Sequence, residues 1–145
     1  MSVFDHPWLS GLFADAEMAA LWSAEAQLGH MLAFEAAWSR AGHLAGLWTE
    51  DEGRTAAEAI SARSLDPSLL ADGTGKDGVP VPALVKHLRR VVGPAVHKGS
   101  TSQDVVDTAT VLSLVASLDL LSERLTALES GLEGLEERFG QNPLM

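Results

Sequence analysis

The sequence contains no cysteine. Disulfides and thiolate metal sites are therefore excluded, and the pattern is the one expected of a cytoplasmic protein. No uninterrupted apolar run reaches the ~18 residues needed to span a bilayer, so no membrane association is expected. The opening MSVFDHPWLS lacks a basic segment followed by an apolar one, so no signal peptide is expected either. Basic residues are scarce. Ten Lys and Arg against twenty Asp and Glu give a formal net charge of −10. That balance argues against general nucleic-acid binding, which needs a basic face to neutralise phosphates. Alternating strand patterns are nearly absent, and no internal repeat or low-complexity tract is present.

The 145 residues are 46% apolar, which excludes a disordered chain and suffices for one domain of ordinary size with a core. Helical periodicity runs through them, so the fold class is all-α. A first long helix is predicted over roughly Asp15–Gly42, with Gly42 as its C-terminal stop. Its stripe reads Met18, Leu21, Trp22, Glu25, Leu28, Leu32, Glu35, Ala36, Ser39. Two acids on such a stripe are unusual. The spacing favours the stripe's edge for Glu25 and Glu35; pairing with basic groups on a neighbour is the alternative.

Thr49 and Glu52 read as a capping box opening a helix to about Ser64. Asp66 and Pro67 open a short helical turn that stops at Gly73. Residues 72–82, DGTGKDGVPVP, hold three glycines and two prolines and are predicted to be a loop. A helix over Ala83–Val92 ends at Gly93-Pro94. Last comes one helix over Gln103–Phe139, about 55 Å long at ~1.5 Å per residue. Its apolar residues Val111, Leu114, Leu118, Leu121, Leu125, Leu128, Leu132, Leu135 and Phe139 alternate steps of three and four, a heptad seam. Up to Leu121 a second face, with Val105, Val106, Ala109, Leu112, Val115 and Leu120, makes it apolar nearly all round. Such a helix needs burial on several sides, and partner helices from further copies of the chain are the simplest source.

The scarce cations are clustered. Lys76, Lys86, Arg89, Arg90 and Lys98 fall within residues 76–98, where Asp77 is the sole acid and His87 and His97 also lie. This window would attract a small anion; a solvated basic helix face is the plainer reading. It leads into residues 97–109, HKGSTSQDVVDTA, where the long helix begins. Thr101 or Ser102 would cap the helix. The same free N–H groups, at the positive end of a long helix, make an anion site. Gly99 allows close backbone approach, His97 and Lys98 add donors, and Asp104 could orient a hydroxyl or a histidine. A well-capped helix and nothing more is the competing reading.

Other candidates are weaker. His6, His30 and His43 lack partners at metal-ligand spacing. GTGKDG at 73–78 lacks the Lys-Ser/Thr ending of a phosphate loop, and no strand precedes it. Trp8, Trp22, Trp38 and Trp48 read as packing residues.

HKGSTSQDVVDTA resembles the first signature region of the fumarase/aspartase superfamily, a His-x-Gly-x-Thr-Ser-x-Asp-type run at the start of a long central helix. With the preceding DGVPVPALVKHLRRVVG it looks most like the 3-carboxy-cis,cis-muconate cycloisomerase family. Adenylosuccinate and argininosuccinate lyases share the Thr-Ser-x-Asp core. The likeness runs over nearly all of the chain, but only residues 78–109 are specific. It implies a helical N-terminal domain over 1–100 and the start of a central helical bundle over 101–145.

The resemblance also implies lactonisation of a tricarboxylate to 4-carboxymuconolactone in protocatechuate catabolism, with neither cofactor nor metal. By the same resemblance, Ser100, Thr101 and Ser102 bind a substrate carboxylate, His97 contacts substrate or handles a proton, and Asp104 orients it or a hydroxyl. Lys98 departs from the family, which commonly has an apolar or aromatic residue there. It either adds a carboxylate contact or points to solvent. The family completes each site with two further signature regions from other subunits of a tetramer. Neither region occurs in these residues, so the chain alone is expected to be inactive.

If the seam recruits further copies, chromatography with light scattering will return a multiple of 15.3 kDa. A clean monomer would remove the inference.

Overall fold

The computed structural model describes residues 2–143, and every element in it is helical. In chain order these are α1 (Ser10–Phe13), α2 (Ala16–Leu21), α3 (Ala24–Ala41), α4 (Glu50–Ser61), α5 (Ala71–Asp77), α6 (Val81–Val92) and α7 (Ser102–Phe139), with 3-10 turns at Gly42–Ala45 and Pro67–Leu70. α3 lies at the centre, packed chiefly on α4 and α7, while α6 bridges α4 and α7. The core they share includes Leu28 and Leu32 of α3, Ile60 of α4, Leu84 and Leu88 of α6, and Val105 and Ala109 of α7.

The predicted first helix is two helices. The periodicity continues through Trp22-Ser23, but Ser23 is extended and its hydroxyl accepts from the Ala26 N–H, which starts α3 afresh. Asp15 caps α2 in the same way through Met18. A hydroxyl that caps offers the backbone an alternative to continuing the helix. Here α7 makes that alternative stable. Ser113 Oγ donates to the Leu21 carbonyl at 3.1 Å, and Trp22 Nε1 donates to Ser117 Oγ at 3.0 Å. Gln27 Nε2 donates to Ser113 Oγ at 2.7 Å from the far side of the break.

Gly42 is not the left-handed stop expected; its φ is −62° and the chain runs on into a 3-10 turn that ends at Gly46, φ 68°. Packing explains the glycine instead. A Cβ on Gly42 would lie 2.2 Å from the Trp48 ring. Trp48 fills that notch and donates Nε1 to the Ser39 carbonyl at 2.7 Å. The packing role read for the tryptophans fails at Trp8, which is 77% exposed.

The loop predicted over 72–82 is largely helix. Gly73 does not stop the preceding turn, because α5 continues through Asp77 to Gly78, φ 76°. The glycine serves close approach: a Cβ on Gly73 would meet Ala83 of α6 at 2.5 Å. Thr74 Oγ1 donates to the Leu70 carbonyl at 2.7 Å, binding the turn from within. The other boundaries are near expectation. The Thr49–Glu52 capping box is present, α4 ends at Ser61 rather than Ser64, and α6 begins at Val81 and stops at Gly93, φ 89°.

α7 has 38 residues, one more at its start than the predicted Gln103–Phe139, but it buries a different face. The buried residues are Val105, Ala109, Ser113 and Ser117, at four-residue steps. The heptad seam from Val111 to Phe139 points away from the rest of the chain, each of its residues between 44% and 64% exposed. Arg124 pairs with Asp15 and with Glu17, tying the middle of α7 to the start of α2. By length and composition α7 is apolar enough to cross a membrane, which the count of uninterrupted apolar residues had excluded.

Leu88 is fully buried in the shared core, and Leu44 is 81% exposed. Leu88→Ala is expected to lower stability to urea by about 2–5 kcal/mol. Leu44→Ala should stay within about 0.5 kcal/mol. Equal effects at the two positions would contradict this packing.

Candidate anion site at the start of the long helix

The site begins where α6 ends. Gly93 turns the chain, and Ala95 and Val96 dive into the core. Ser39 Oγ donates to the Ala95 carbonyl at 2.7 Å, and Arg89 Nη2 donates to that of Val96 at 3.3 Å. The segment before α7 is thus held by α3 below and α6 beside it. His97 follows with φ 57°, a left-handed conformation uncommon for a residue with a side chain. Gly99, φ 83°, makes the second sharp turn. Trp38 Nε1 donates to the Lys98 carbonyl at 3.1 Å and holds the bend between them.

The left-handed bend sends the His97 ring inward. Its Nδ1 lies 2.7 Å from Glu35 Oε1 and 3.1 Å from Ser100 Oγ. Glu35 is completely buried. Burial pushes its carboxyl above the ordinary 4.5, while His97 and then Arg89 pull it back. The edge position favoured for this residue is therefore wrong, and pairing with a basic neighbour is what occurs. Glu25 is exposed, as the edge reading expects.

The cap is Thr101. Its Oγ1 accepts from the Asp104 N–H at 3.3 Å, while Thr101 N and Oγ1 donate to Asp104 Oδ2 at 2.7 and 2.8 Å. Asp104 thus orients a hydroxyl rather than the histidine. The Thr101 N–H and hydroxyl, with a smaller contribution from the charge of His97, hold the Asp104 carboxyl below its usual 3.8. Ser102 is the first residue inside the helix.

A cavity of about 450 Å³ opens between α6 and this corner, lined by Pro82, Val85, Lys86, Arg89, Arg90, His97 and Ser102. Two of the predicted site residues, His97 and Ser102, line it. Ser100 stands behind His97, and Thr101 and Asp104 form the exposed cap alongside. Lys98 is on another side: its Nζ is 3.4 Å from the Leu47 carbonyl, and it lines a separate cavity with Trp48 and Asp51. Three cations of the basic window, Lys86, Arg89 and Arg90, do enter, although charge clustering alone placed none of them in the site. Glu35 is the other omission; its register on α3, between Leu32 and Ser39, was the available signal. The cavity combines fixed cations, a hydroxyl, an imidazole and the positive end of α7, which suits one or more carboxylates.

No family model matches the chain. It is 34% identical over 142 residues to the 3-carboxy-cis,cis-muconate cycloisomerase of Bradyrhizobium diazoefficiens, covering 93% of this chain and 32% of that protein. It is 30% identical over 140 residues to trans-aconitate decarboxylase 1 of Mycosarcoma maydis, covering 94% and 28% respectively. Adenylosuccinate lyases also match. Among solved structures, fumarate lyase from Mesorhizobium sp. BNC1 superposes with a TM-score of 0.81 at 32% identity, over 87% of this chain and 30% of that one. The chain spans about a third of the length of the curated relatives it matches.

The two carboxylates of this corner should give opposite pH dependences. Asp104 sits below 3.8, so its stabilisation is present above that pH and is lost as pH falls through the folded value. Glu35 sits above 4.5, so its contribution is complete below that pH and is lost as pH rises through the folded value. Urea melts from acid to neutral pH should show Asp104→Asn flattening the acid limb and Glu35→Gln flattening the decline on the alkaline side. Slopes unchanged in both variants would refute the assignment.

Proposed function

We propose that this chain, which over its described residues shares the sequence and fold of the fumarase/aspartase superfamily, contributes the carboxylate-gripping corner of a cycloisomerase or lyase site. The observation that carries the reading is the cavity at the N-terminus of α7. There a chain of net charge −10 gathers Lys86, Arg89 and Arg90 against His97 and Ser102. The substrate class is a small polycarboxylate, and the favoured reaction is lactonisation of 3-carboxy-cis,cis-muconate.

The chemistry needs two things from such a corner. A carboxylate oxygen adds across a carbon–carbon double bond, the new C–O bond forms, and the π pair moves toward the neighbouring carboxylate. The resulting aci-carboxylate carries extra negative charge, which preorganised cations and N–H groups stabilise more than they stabilise the ground state. Protonation of the adjacent carbon completes the lactone. Lys86, Arg89 and the α7 N-terminus suit the charge, Ser102 suits a carboxylate oxygen, and His97 suits the proton. Run in reverse, the same arrangement serves elimination, and the adenylosuccinate lyase relatives favour that as the second reading.

The exposed seam of α7 fits helices from further copies, as in a tetramer, with residues 101–145 as the start of a central bundle. A non-catalytic helical oligomerisation module would have that seam without the cation-lined cavity.

Calorimetry with propane-1,2,3-tricarboxylate tests the reading. The parent should bind, and Ser102→Ala and Lys86→Ala should each weaken binding about tenfold, the loss of one charge-assisted contact. The chain alone should leave the ultraviolet absorbance of 3-carboxymuconate unchanged. An absence of binding in the parent favours the module, and turnover by the chain refutes the expected inactivity.

A further inference from the structure

Glu35 has no role in the reading above, and its setting asks for one. It is a completely buried carboxylate, 62 residues from its partner in sequence, on the central helix. Its Oε1 meets His97 Nδ1 at 2.7 Å, and its Oε2 has no hydrogen-bond partner. A carboxylate buried this way serves packing poorly, since an apolar residue of similar volume would avoid the desolvation. Around the pair stand Arg89, Lys86 and Arg90 from α6, Ser100 from the bend, and Asp104 from α7. Desolvation raises the Glu35 carboxyl, and His97 and then Arg89 oppose that shift. His97 is 14% exposed, and that exposure is toward the cavity it lines.

We infer that Glu35 is a positioning residue that accepts the hydrogen bond of the His97 Nδ1–H and thereby turns the imidazole's Nε2, as the proton-exchanging atom, toward the cavity. The hydrogen bond made by one ring nitrogen sets the state of the other. With Nδ1–H committed to Glu35, Nε2 carries the lone pair when the ring is neutral. When Nε2 takes a proton, the resulting imidazolium is balanced by the Glu35 carboxylate. One proton then moves between Nε2 and a bound molecule, with no other bond changed on the protein. The same contact holds the left-handed backbone of His97 in place. This deepens the carboxylate-site reading and rests on it for the identity of the bound molecule.

Long-range proton–nitrogen NMR of the 15N-labelled chain at pH 8 reads the tautomer directly, with His97→Gln assigning the signal by its loss. The expected spectrum has a protonated Nδ1 and an acceptor-type Nε2. In Glu35→Ala the ring should switch to the Nε2–H form, with the helical circular dichroism retained. If that variant does not fold, the parent spectrum decides alone. Addition of propane-1,2,3-tricarboxylate should shift the parent's Nε2 resonance, and the shift should be lost in Glu35→Ala. A parent His97 carrying its proton on Nε2 would overturn the assignment, as would an unchanged tautomer in the folded variant. The expected tautomer with no response to the tricarboxylate anywhere in the spectrum would overturn the carboxylate site and leave the role of Glu35 standing.

Discussion

A charged carboxylate without exposure to water is tolerated only beside a partner that repays its desolvation, and in this chain Glu35 has one such partner, His97. That requirement reaches far. His97 must sit where its ring can drop onto α3, so its backbone takes the left-handed conformation. Ala95 and Val96 must go beneath it, fixed by Ser39 and Arg89. Only then does the chain emerge at Thr101 pointing along the direction α7 takes. The contact between Glu35 and His97 therefore ties the central helix to the bend that precedes the longest one. His97 lines the cavity from this bend, while Lys98 lies on another side.

α7 serves two surfaces with different chemistry. Its inner face is small and partly polar: Val105, Ala109, Ser113 and Ser117. Small residues let α2 and α3 come close; the Ser113 hydroxyl satisfies the Leu21 carbonyl freed where the chain breaks between those helices, and Ser117 accepts from the Trp22 indole N–H. Its outer face is the leucine seam, with nothing of this chain against it among the described residues. A helix that buries serines and exposes leucines inverts the usual arrangement, and the inversion follows from which neighbours each face meets.

Cations are few here, and the fold concentrates them. α6 carries Lys86, Arg89 and Arg90 on turns that face the N-terminus of α7, so side-chain charge and backbone N–H groups converge on one space. Asp104 adds one negative charge beside this field without entering the cavity lining. Its carboxylate is engaged by the Thr101 hydroxyl and N–H, outside the cavity lining.

Much of this was legible in the residues. Hydrophobic periodicity and capping chemistry are local, so the all-helical class, the Thr49 cap, the Asp66-Pro67 turn and the extent of α7 follow from sequence, while the α7 cap was narrowed only to Thr101 or Ser102. So does the helix start within residues 97–104, because capping residues are a local signature. Sequence did not determine whether a break is used or which face is buried. Ser23 caps a new helix where α7 supplies the Ser113 hydroxyl to the freed Leu21 carbonyl. Gly73 packs against Ala83 instead of ending a turn. Glu35 lies inside because His97 arrives from 62 residues away, and Lys98 is turned aside by the same bend. Those outcomes depend on what each residue meets across space, and that is settled only when the helices pack.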